Sequence, residues 1–261
     1  MPSNRDRRTV RSITDFRRHY HQLRQGDLVL GPLALRAAEE IKFLDLMDRG
    51  VIFFPPVLAQ VLSRSKAAQA EVLGEFMVPG TFVAYAPADL AARLPDYQAQ
   101  GQVVTKRDRA HLGLGVSLWP SLEVICSLAG LQPLAYPLVI QPYVAEARDL
   151  RAVVLGDYAE AYERVNPHSF RKNLFQGGSS RPANLEGEHL AFCRRVMARG
   201  KFPYAILDLL LAPGGELFLS EISLKGGLTG ARLSQTEFRE RVQALQEDFS
   251  RPWDSSSTTP P

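Results

Sequence analysis

Hydrophobic and polar residues follow two different periods at the start of this chain. Asp27–Gly31 and Val51–Phe54 are short apolar runs closed by Gly-Pro or Pro-Pro, which predicts strands. Leu35–Arg49 and Val57–Phe76 predict helices. This β-α-β-α order predicts a small α/β lobe with a parallel sheet, which we place at residues 26–61. The apolar side chains at helical spacing in the first helix are Leu35, Ala38, Ile41, Leu44 and Met47.

Strand and helix patterns then alternate as far as residue 222. The last two strands, Tyr204–Leu211 and Leu217–Ile222, flank Pro213-Gly214-Gly215 and predict a hairpin. Residues 246–261 are predicted to be a disordered tail, since Ser250–Pro261 is rich in Ser, Thr and Pro. The other predicted strands are Thr81–Tyr85, Val103–Thr105, Pro137–Gln141, Leu150–Leu155 and Ala159–Arg164, and the other predicted helices are Ala88–Leu94, Ser121–Ala129 and Glu186–Arg199.

The composition is that of a globular protein with a buried core: 45% of the 261 residues are hydrophobic and 23% are charged. No apolar run approaches the roughly 18 residues that a membrane helix needs, and no apolar signal segment follows the N-terminal arginines. Only Cys126 and Cys193 occur, so neither a disulfide framework nor a zinc ribbon is expected. We therefore expect a cytoplasmic protein with no membrane partner.

Positive charge is concentrated at the N-terminus. Seven arginines within the first 24 residues face only Asp6 and Asp15. Residues 1–25 are predicted to be a basic, mobile segment that runs into a solvated helix. The alternative is a surface that binds an acidic partner or nucleic acid. The arginines are Arg5, Arg7, Arg8, Arg11, Arg17, Arg18 and Arg24.

Two glycine-containing segments carry cations that suit phosphate groups. Lys106 follows a predicted strand and precedes Gly113 and Gly115, so a point charge and free backbone N–H groups come close together. Gly-x-Gly alone is common in turns, which limits this first signal. The second segment, Phe170–Gly178, reads FRKNLFQGG. Its glycine pair permits close backbone approach, and its polar side chains include Arg171, Lys172 and Asn173.

Carboxylates occur in strands too apolar to carry an unpaired charge. Asp208 lies within one strand of the predicted hairpin, and Glu221 lies near the end of the other. A buried carboxylate must be paired or bind a metal ion, so these acids predict either a divalent-metal site or ion pairs with Arg or Lys. Asp149 and Arg151 share one face of a strand, and Arg164 occupies a similar place on the next strand. Surface ion pairs are the alternative for these three residues.

The order of these segments resembles that of RimK-like ATP-grasp ligases, and FRKNLFQGG stands where the family reads close to FRSNLHRGG. The resemblance implies an α/β (α+β) ATP-grasp fold at residues 62–245, whose two lobes close on ATP, preceded by the small parallel lobe. It implies an ATP-dependent carboxylate–amine ligase that forms an amide or peptide bond through an acyl phosphate. The reaction would take ATP with Mg²⁺ or Mn²⁺, a small-molecule or protein-tail carboxylate, and an amine. Relatives are often dimers or tetramers, which leaves a homo-oligomer open.

The resemblance also implies roles for individual residues. Pro142 has no N–H, so a backbone donor to adenine is expected from Tyr143 or its neighbours. A solvated helix lysine is the alternative for Lys66, and a buried strand is the alternative for the adenine segment. The implied roles are nucleotide contacts for Lys66, Lys106, Gly113, Gly115, Asp149 and Lys172, adenine contacts for Gln141, Pro142, Tyr143 and Val144, charge stabilisation for Arg151, Arg164, Arg171 and Asn173, and metal binding for Asp208, Glu221 and Ser223.

The chain departs from the family pattern at several places. Ser223 stands where the family has Asn, and its hydroxyl is a weaker magnesium ligand. Ala110 and Arg107 replace a glycine and a proline of the phosphate loop, and Lys225 adds a charge near the expected acceptor site. Two alternatives follow. One is a degenerate ATP-grasp protein that binds nucleotide as a regulatory or interaction module, and the other is a basic interaction protein that uses its arginine-rich N-terminus.

Overall fold

The computed structural model describes residues 7–110, 114–172, 177–185 and 187–254. Helices and strands alternate along them, which confirms the mixed α/β prediction. Within these ranges, no helix combines the length and the apolar character needed to span a membrane. The strands are β1 (Thr9–Val10), β2 (Leu28–Leu30), β3 (Ile52–Phe54), β4 (Phe82–Ala84), β5 (Val103–Arg107), β6 (Val116–Trp119), β7 (Leu138–Pro142), β8 (Arg148–Leu155), β9 (Tyr158–Val165), β10 (Ser179–Ala183), β11 (Tyr204–Leu211) and β12 (Leu217–Ser223). The helices are α1 (Ile13–His19), α2 (Ile41–Asp48), α3 (Val57–Leu62), α4 (Lys66–Leu73), α5 (Pro87–Tyr97), α6 (Leu122–Leu131), α7 (Glu188–Gly200) and α8 (Gln235–Asp254), with short 3-10 turns at Tyr20–Gln22, Ala37–Glu39 and Gly74–Phe76.

A parallel three-stranded sheet, in the order β1-β2-β3, forms the first lobe. Its first strand comes from the N-terminal segment, where Val10 and Phe16 are buried in the core of this lobe. The structure therefore corrects the prediction of a mobile segment for residues 7–25. The segment folds because Ser12 caps α1, its hydroxyl accepting the Asp15 N–H at 3.1 Å, and α1 turns its apolar side chains Ile13 and Phe16 toward the core of the lobe.

The helix α2 packs with the face opposite to the one predicted. Phe43 and Leu46 are fully buried, and the Phe43 ring meets Phe53 edge-on with centroids 5.6 Å apart. Helical spacing alone does not choose between two apolar faces, and burial of the aromatic ring favours the face that carries it. The outward-facing residues, with their exposed fractions, are Ile41 (65%), Leu44 (61%) and Met47 (51%).

Two antiparallel sheets follow the first lobe. One has four strands in the order β4-β7-β5-β6, and the other has five in the order β10-β9-β8-β11-β12. Helices α5 and α6 cover the four-stranded sheet through Leu90 and Ile125, and α7 lies on the five-stranded sheet. Helix α4 contacts both sheets, through β4 and β7 of the first and β12 of the second. The single helix predicted at Val57–Phe76 is divided into α3, α4 and a 3-10 turn. The division occurs because Ser65 caps α4, its hydroxyl accepting the Ala68 N–H at 3.0 Å.

The C-terminal helix α8 joins the first lobe to the rest of the protein. Phe249 packs on Phe54 of β3 with ring centroids 4.7 Å apart, and Trp253 stacks on Phe249 at 5.1 Å. Leu28 and Phe54 share one hydrophobic core with the five-stranded sheet. The structure thus corrects the predicted disordered tail as far as Asp254, where α8 ends, and residues 255–261 lie outside the described part of the chain. Phe249 and Trp253 lie four residues apart, on the same face of α8, and bury apolar surface there. The Ser/Thr/Pro-rich composition of this region gives no sign of that burial.

Candidate active site

A cleft of about 630 Å³ lies between the two antiparallel sheets. Strands β5, β6 and β7 line one side, and β8, β9, β11 and β12 line the other. Pro142 is not on the cleft wall, and Gly113 and Asn173 lie outside the described residues. The other predicted site residues all line the cleft: Lys66, Lys106, Gly115, Gln141, Tyr143, Val144, Asp149, Arg151, Arg164, Arg171, Lys172, Asp208, Glu221 and Ser223.

Two arginines hold Asp208 at the floor of the cleft. Strand pairing places Asp208 directly opposite Arg151 and Asp149 directly opposite Arg164. Arg151 donates through Nε to Asp208 Oδ1 at 2.7 Å and through Nη2 to Oδ2 at 2.9 Å. Arg164 Nη2 lies 3.1 Å from Asp208 Oδ2, and Arg164 Nε donates to Asp149 Oδ1 at 2.6 Å. Four charges of balanced sign therefore share one face of the sheet, as the ion-pair alternative from the sequence anticipates.

The electrostatics of this cluster keep Asp208 ionised. Burial alone would raise the pKa of Asp208, but Arg151 and Arg164 outweigh it and hold the pKa well below its usual range. Burial also dominates at Asp149 and raises its pKa, with the Asp208 charge adding to the effect and Arg164 opposing it. The two carboxyls thus differ in chemical character: Asp208 stays ionised to lower pH, and Asp149 protonates more readily.

A bulge in β12 brings two consecutive residues into the cleft. Asp208 pairs with Glu221, but the next pair is Leu209 with Leu219, so Ser220 is the extra residue. Glu221 Oε1 accepts from Lys66 Nζ at 3.1 Å. Lys106 Nζ donates to the Ser220 carbonyl and hydroxyl oxygens, both at 3.1 Å. The bulge therefore sets an acid and a polar backbone group beside two lysines.

The residues at the β11–β12 edge fit a divalent cation in part. Asp208 and Glu221 face each other across the strand pair and offer the hard oxygen ligands that Mg²⁺ prefers. In the structure, however, Asp208 bonds guanidinium groups and Glu221 bonds Lys66. No group of three His, Cys, Asp or Glu side chains that could hold a metal ion occurs among the described residues. Further ligands would have to come from Ser223, water or phosphate oxygens.

The ammonium group of Lys106 loses its proton more easily than that of an exposed lysine. Burial is the largest cause and lowers the pKa of Lys106 to about 8, although Glu221 opposes the shift. The side chain is therefore charged below about pH 8 and increasingly neutral above it. A phosphate group in the cleft would therefore contact Lys106, whose charge changes with pH around pH 8.

We expect the affinity for Mg-ATP to fall as the pH rises above about 8, by up to about tenfold per pH unit, because Lys106 loses its proton. Calorimetric titration between pH 7 and 9.5 measures this dependence. The Lys106→Arg variant is the control, since a guanidinium stays charged throughout this range. An equal fall in the Lys106→Arg variant would show that another group is responsible.

Arg171 and Lys172, at the start of the FRKNLFQGG segment, line the cleft. Arg171 Nε donates to the Val116 carbonyl of β6 at 2.9 Å, and Arg171 Nη2 bonds the same oxygen. Lys172 Nζ donates to the Ala147 carbonyl. Phe170 packs under Arg171, with the guanidinium carbon 4.6 Å from the ring centroid. Both cations thus lie on the cleft wall, with backbone carbonyls as their partners.

The part of the cleft wall formed by Gln141 and Tyr143 offers an unpaired hydrogen-bond acceptor. Gln141 is 2% exposed, and its Oε1 has no hydrogen-bond partner within the described structure. The Tyr143 N–H, expected to face adenine, instead donates to the Gln102 carbonyl at 2.9 Å. The Tyr143 N–H is therefore engaged within the protein. An orphaned buried acceptor fits a ligand with an amino group, since leaving it unpaired is costly.

A close approach between Gly115 and the turn at residues 107–110, here called the phosphate-side loop, explains one glycine. A Cβ added at Gly115 would lie 2.4 Å from the Ala110 Cβ, so only glycine fits there. The Ala110 carbonyl accepts from Lys66 Nζ at 2.7 Å, which joins this loop to α4. The absence of a side chain at Gly115 thus leaves room for Ala110, which replaces a family glycine.

Sequence reasoning missed the apolar walls of the cleft. Val104 and Ile206 lie two residues from Lys106 and Asp208 on their strands, and Leu210 lies two residues beyond Asp208. Strand alternation would have identified them, because residues i and i+2 share a face. Other missed wall residues are Ser63, Val116, Ala147, Phe170, Ser220 and Thr229.

Two antiparallel sheets that enclose a cleft of lysines, arginines and paired carboxylates define the ATP-grasp class. A model of the RimK-like ATP-grasp domain matches residues 59–243. The chain therefore belongs to the RimK-like ATP-grasp family, as its motifs predict.

Curated relatives match part of the chain. A probable alpha-L-glutamate ligase of Klebsiella pneumoniae (strain 342) is 29% identical over 161 residues, which are 59% of this chain and 52% of that protein. One from Sodalis glossinidius (strain morsitans) is 31% identical over 136 residues, 49% of this chain and 45% of that protein. The chain spans about half the length of the curated relatives it matches.

Solved structures share the fold. D-cycloserine synthetase DcsG superposes with a TM-score of 0.61 at 15% identity, covering 92% of this chain and 98% of that one. The ATP-grasp ligase PsnB, solved with a phosphomimetic precursor variant, Mg and ADP, gives a TM-score of 0.55 at 15% identity, covering 80% of this chain and 67% of that one. These likenesses confirm the predicted ATP-grasp fold.

Proposed function

We propose that this protein is an ATP-dependent carboxylate–amine ligase. The observation that carries the proposal is the face of the five-stranded sheet on which Asp208 and Glu221 lie opposite each other, flanked by Arg151 and Arg164. Lys106 approaches the same point from the other sheet. One site thereby combines oxygen ligands for a cation with positive charge for phosphate and carboxylate groups.

The residues suit a two-step transfer. A carboxylate oxygen of the substrate attacks the γ-phosphorus of ATP, which releases ADP and leaves an acyl phosphate. An amine then attacks the acyl carbon, phosphate departs, and the nitrogen loses a proton as the amide forms. We assign Arg151 and Arg164 to the negative charge that develops in these steps, and Lys66 and Lys106 to the phosphate oxygens. Mg²⁺ held by Asp208, Glu221 and Ser223 would neutralise further phosphate charge.

Trapping with hydroxylamine tests this proposal without knowledge of the amine. The protein is incubated with Mg-ATP, hydroxylamine and single carboxylates, including acidic amino acids and carboxylate-ended peptides. An acyl phosphate reacts to a hydroxamate, and ADP appears in equal amount. If the protein binds Mg-ATP but none of the carboxylates gives a hydroxamate, the proposed ligase activity is contradicted.

A nucleotide-binding module without ligase activity is the second candidate. The observation that favours it is the neutralisation of Asp208 by two guanidinium groups, which compete with a metal ion. Ser223, where the family has Asn, acts in the same direction. This candidate predicts Mg-ATP binding without hydroxamate or ADP release.

The Ser223→Asn variant is expected to bind Mg-ATP at about three- to tenfold lower Mg²⁺ concentration, because an amide oxygen is a better magnesium ligand than a hydroxyl. Titration of Mg²⁺ at fixed ATP, followed by calorimetry, measures the change. Ser223→Ala is the matched control and should need more Mg²⁺ than the wild type. Identical Mg²⁺ dependence in all three proteins would remove Ser223 from the metal site.

A further inference from the structure

We propose that Glu40, in the first lobe, is a positioning residue for nucleotide binding, and that it acts by anchoring the phosphate-side loop through Arg109. This inference rests on the proposed use of the cleft for ATP. Neither residue lines the cleft. Their effect would pass to the nucleotide through the neighbouring Ala110 and through Lys66.

The Glu40–Arg109 pair is bidentate and spans two lobes. Arg109 Nη1 donates to Glu40 Oε1 at 3.0 Å, and Nη2 donates to Oε2 at 2.7 Å. The Glu40 side chain is 17% exposed and that of Arg109 is 31% exposed, so water screens the pair only in part. Arg64 Nη1 lies 3.7 Å from the same carboxylate. Paired, charge-assisted hydrogen bonds of this geometry fix orientation as well as distance.

The backbone at Arg109 adopts a conformation that needs support. Its φ is +55°, in the left-handed region that a residue with a side chain rarely occupies. Such a conformation persists when surrounding contacts hold it. The bidentate pair with Glu40 supplies such contacts, so loss of the carboxylate charge should loosen the turn.

The residue before Arg109 ties the same turn to α4. Asp108 Oδ1 accepts from Ser65 Oγ at 2.9 Å and from the Ala67 N–H at 3.1 Å. Between these two residues lies Lys66, whose Nζ donates to the Ala110 carbonyl at 2.7 Å. Three consecutive residues therefore have three different partners: Asp108 bonds the start of α4, Arg109 bonds Glu40 of the first lobe, and Ala110 bonds Lys66.

The chain of contacts gives Glu40 an influence on Lys66. If the turn moves, the Ala110 carbonyl moves with it, and Lys66 is left with Glu221 as its partner. The ammonium would then lie closer to the carboxylate than to the site of an incoming phosphate. We therefore expect the pair to favour nucleotide binding.

The test compares Glu40→Gln with Glu39→Gln. Glu39 is the adjacent residue and also forms a bidentate pair, with Arg17 at 3.1 and 2.7 Å, but both partners belong to the first lobe. We expect Glu40→Gln to weaken Mg-ATP binding roughly tenfold, the order expected for one lost charge-assisted pair. Glu39→Gln should stay within twofold of wild type. Calorimetry measures both constants, and melting temperatures exclude general unfolding.

Two further variants separate positioning from stability. The Glu40→Gln/Arg109→Gln double variant should bind no more weakly than the weaker single variant, because the two residues act as one unit. Arg109→Lys should recover part of the affinity lost in Arg109→Gln. Additive losses in the double variant would overturn the inference, as would a Glu40→Gln protein that binds like the wild type.

Hydrogen exchange on nucleotide-free protein makes the pair testable apart from the ligase. Peptides covering residues 103–110 should exchange faster in Glu40→Gln and not in Glu39→Gln. Unchanged exchange would overturn the anchoring role. A wild-type protein that fails to bind Mg-ATP would instead overturn the proposed function and the nucleotide part of the inference, whereas faster exchange would still support the anchor.

Discussion

The Asp208→Asn variant is expected to lose about 3–5 kcal/mol of free energy of unfolding, because it leaves the buried Arg164 and the largely buried Arg151 without their shared carboxylate. The Arg151 and Arg164 side chains are 21% and 6% exposed, so water does little to replace the lost charge. ATP-dependent turnover should fall at least about 10²-fold, since the same carboxylate is the proposed metal ligand. Urea unfolding and ADP release measure the two effects.

Asp157→Asn is the control for this substitution. Its side chain is 99% exposed, and its nearest cation, Arg241, lies 3.9 Å away. It should change stability by less than about 0.5 kcal/mol. An Asp208→Asn protein as stable and active as the control would contradict both the ion-pair cluster and the metal site.

Acidification should lower the stability of the wild type more than that of the Asp208→Asn variant. The pKa of Asp208 is held below that of an unfolded chain, so its contribution is present above about pH 4 and is lost as the pH falls through the folded value. The decline of stability on acidification should therefore be shallower in Asp208→Asn. Asparagine has no proton to take up.

The Lys106→Met variant is expected to lose most of the thermal stabilisation that Mg-ATP gives. At a ligand concentration 100 times the wild-type dissociation constant, binding adds about 2.7 kcal/mol, which raises the melting temperature by roughly 5–10 °C. Without the cation beside Ser220, the same concentration should raise it by less than about 2 °C. Thermal melting with and without Mg-ATP provides the measurement.

Lys201→Met, an exposed lysine just after α7, is the matched control for Lys106→Met and should keep the full shift. The nucleotide-free Lys106→Met protein should melt within a few degrees of the wild type, because burial already disfavours the ammonium charge and its hydrogen-bond partners are the neutral oxygens of Ser220. A full Mg-ATP shift in Lys106→Met would place the phosphates away from this lysine.

Local patterns predicted the strands that carry the candidate chemistry. Tyr204–Leu211 has the predicted bounds, and the turn at Pro213–Gly215 sets the pairing that puts Asp208 opposite Glu221. The bulge at Ser220 has no comparable sequence signal, because it depends on the register of two strands. Alternation therefore identified the acids but not the full set of groups beside them.

Long-range contacts account for the other differences. Arg109 reads as a loop residue until Glu40, 69 positions earlier, is placed beside it. The basic N-terminal segment looks solvated until Phe16 is buried. The charge composition of these segments is local information, whereas the residues that they contact lie far away in the sequence.

The stacking of Phe249 on Phe54 also has a consequence for synthesis of the chain. About 195 residues separate the two rings in the sequence. During synthesis β3 therefore emerges from the ribosome long before α8, the helix that covers it. Until α8 emerges, Phe54 presents an uncovered aromatic surface to chaperones and to neighbouring nascent chains. A chain stopped after residue 234 would contain every strand named above yet keep this surface open. Loss of α8 would therefore lower the yield of folded protein, whereas the residues of the cleft would keep their positions.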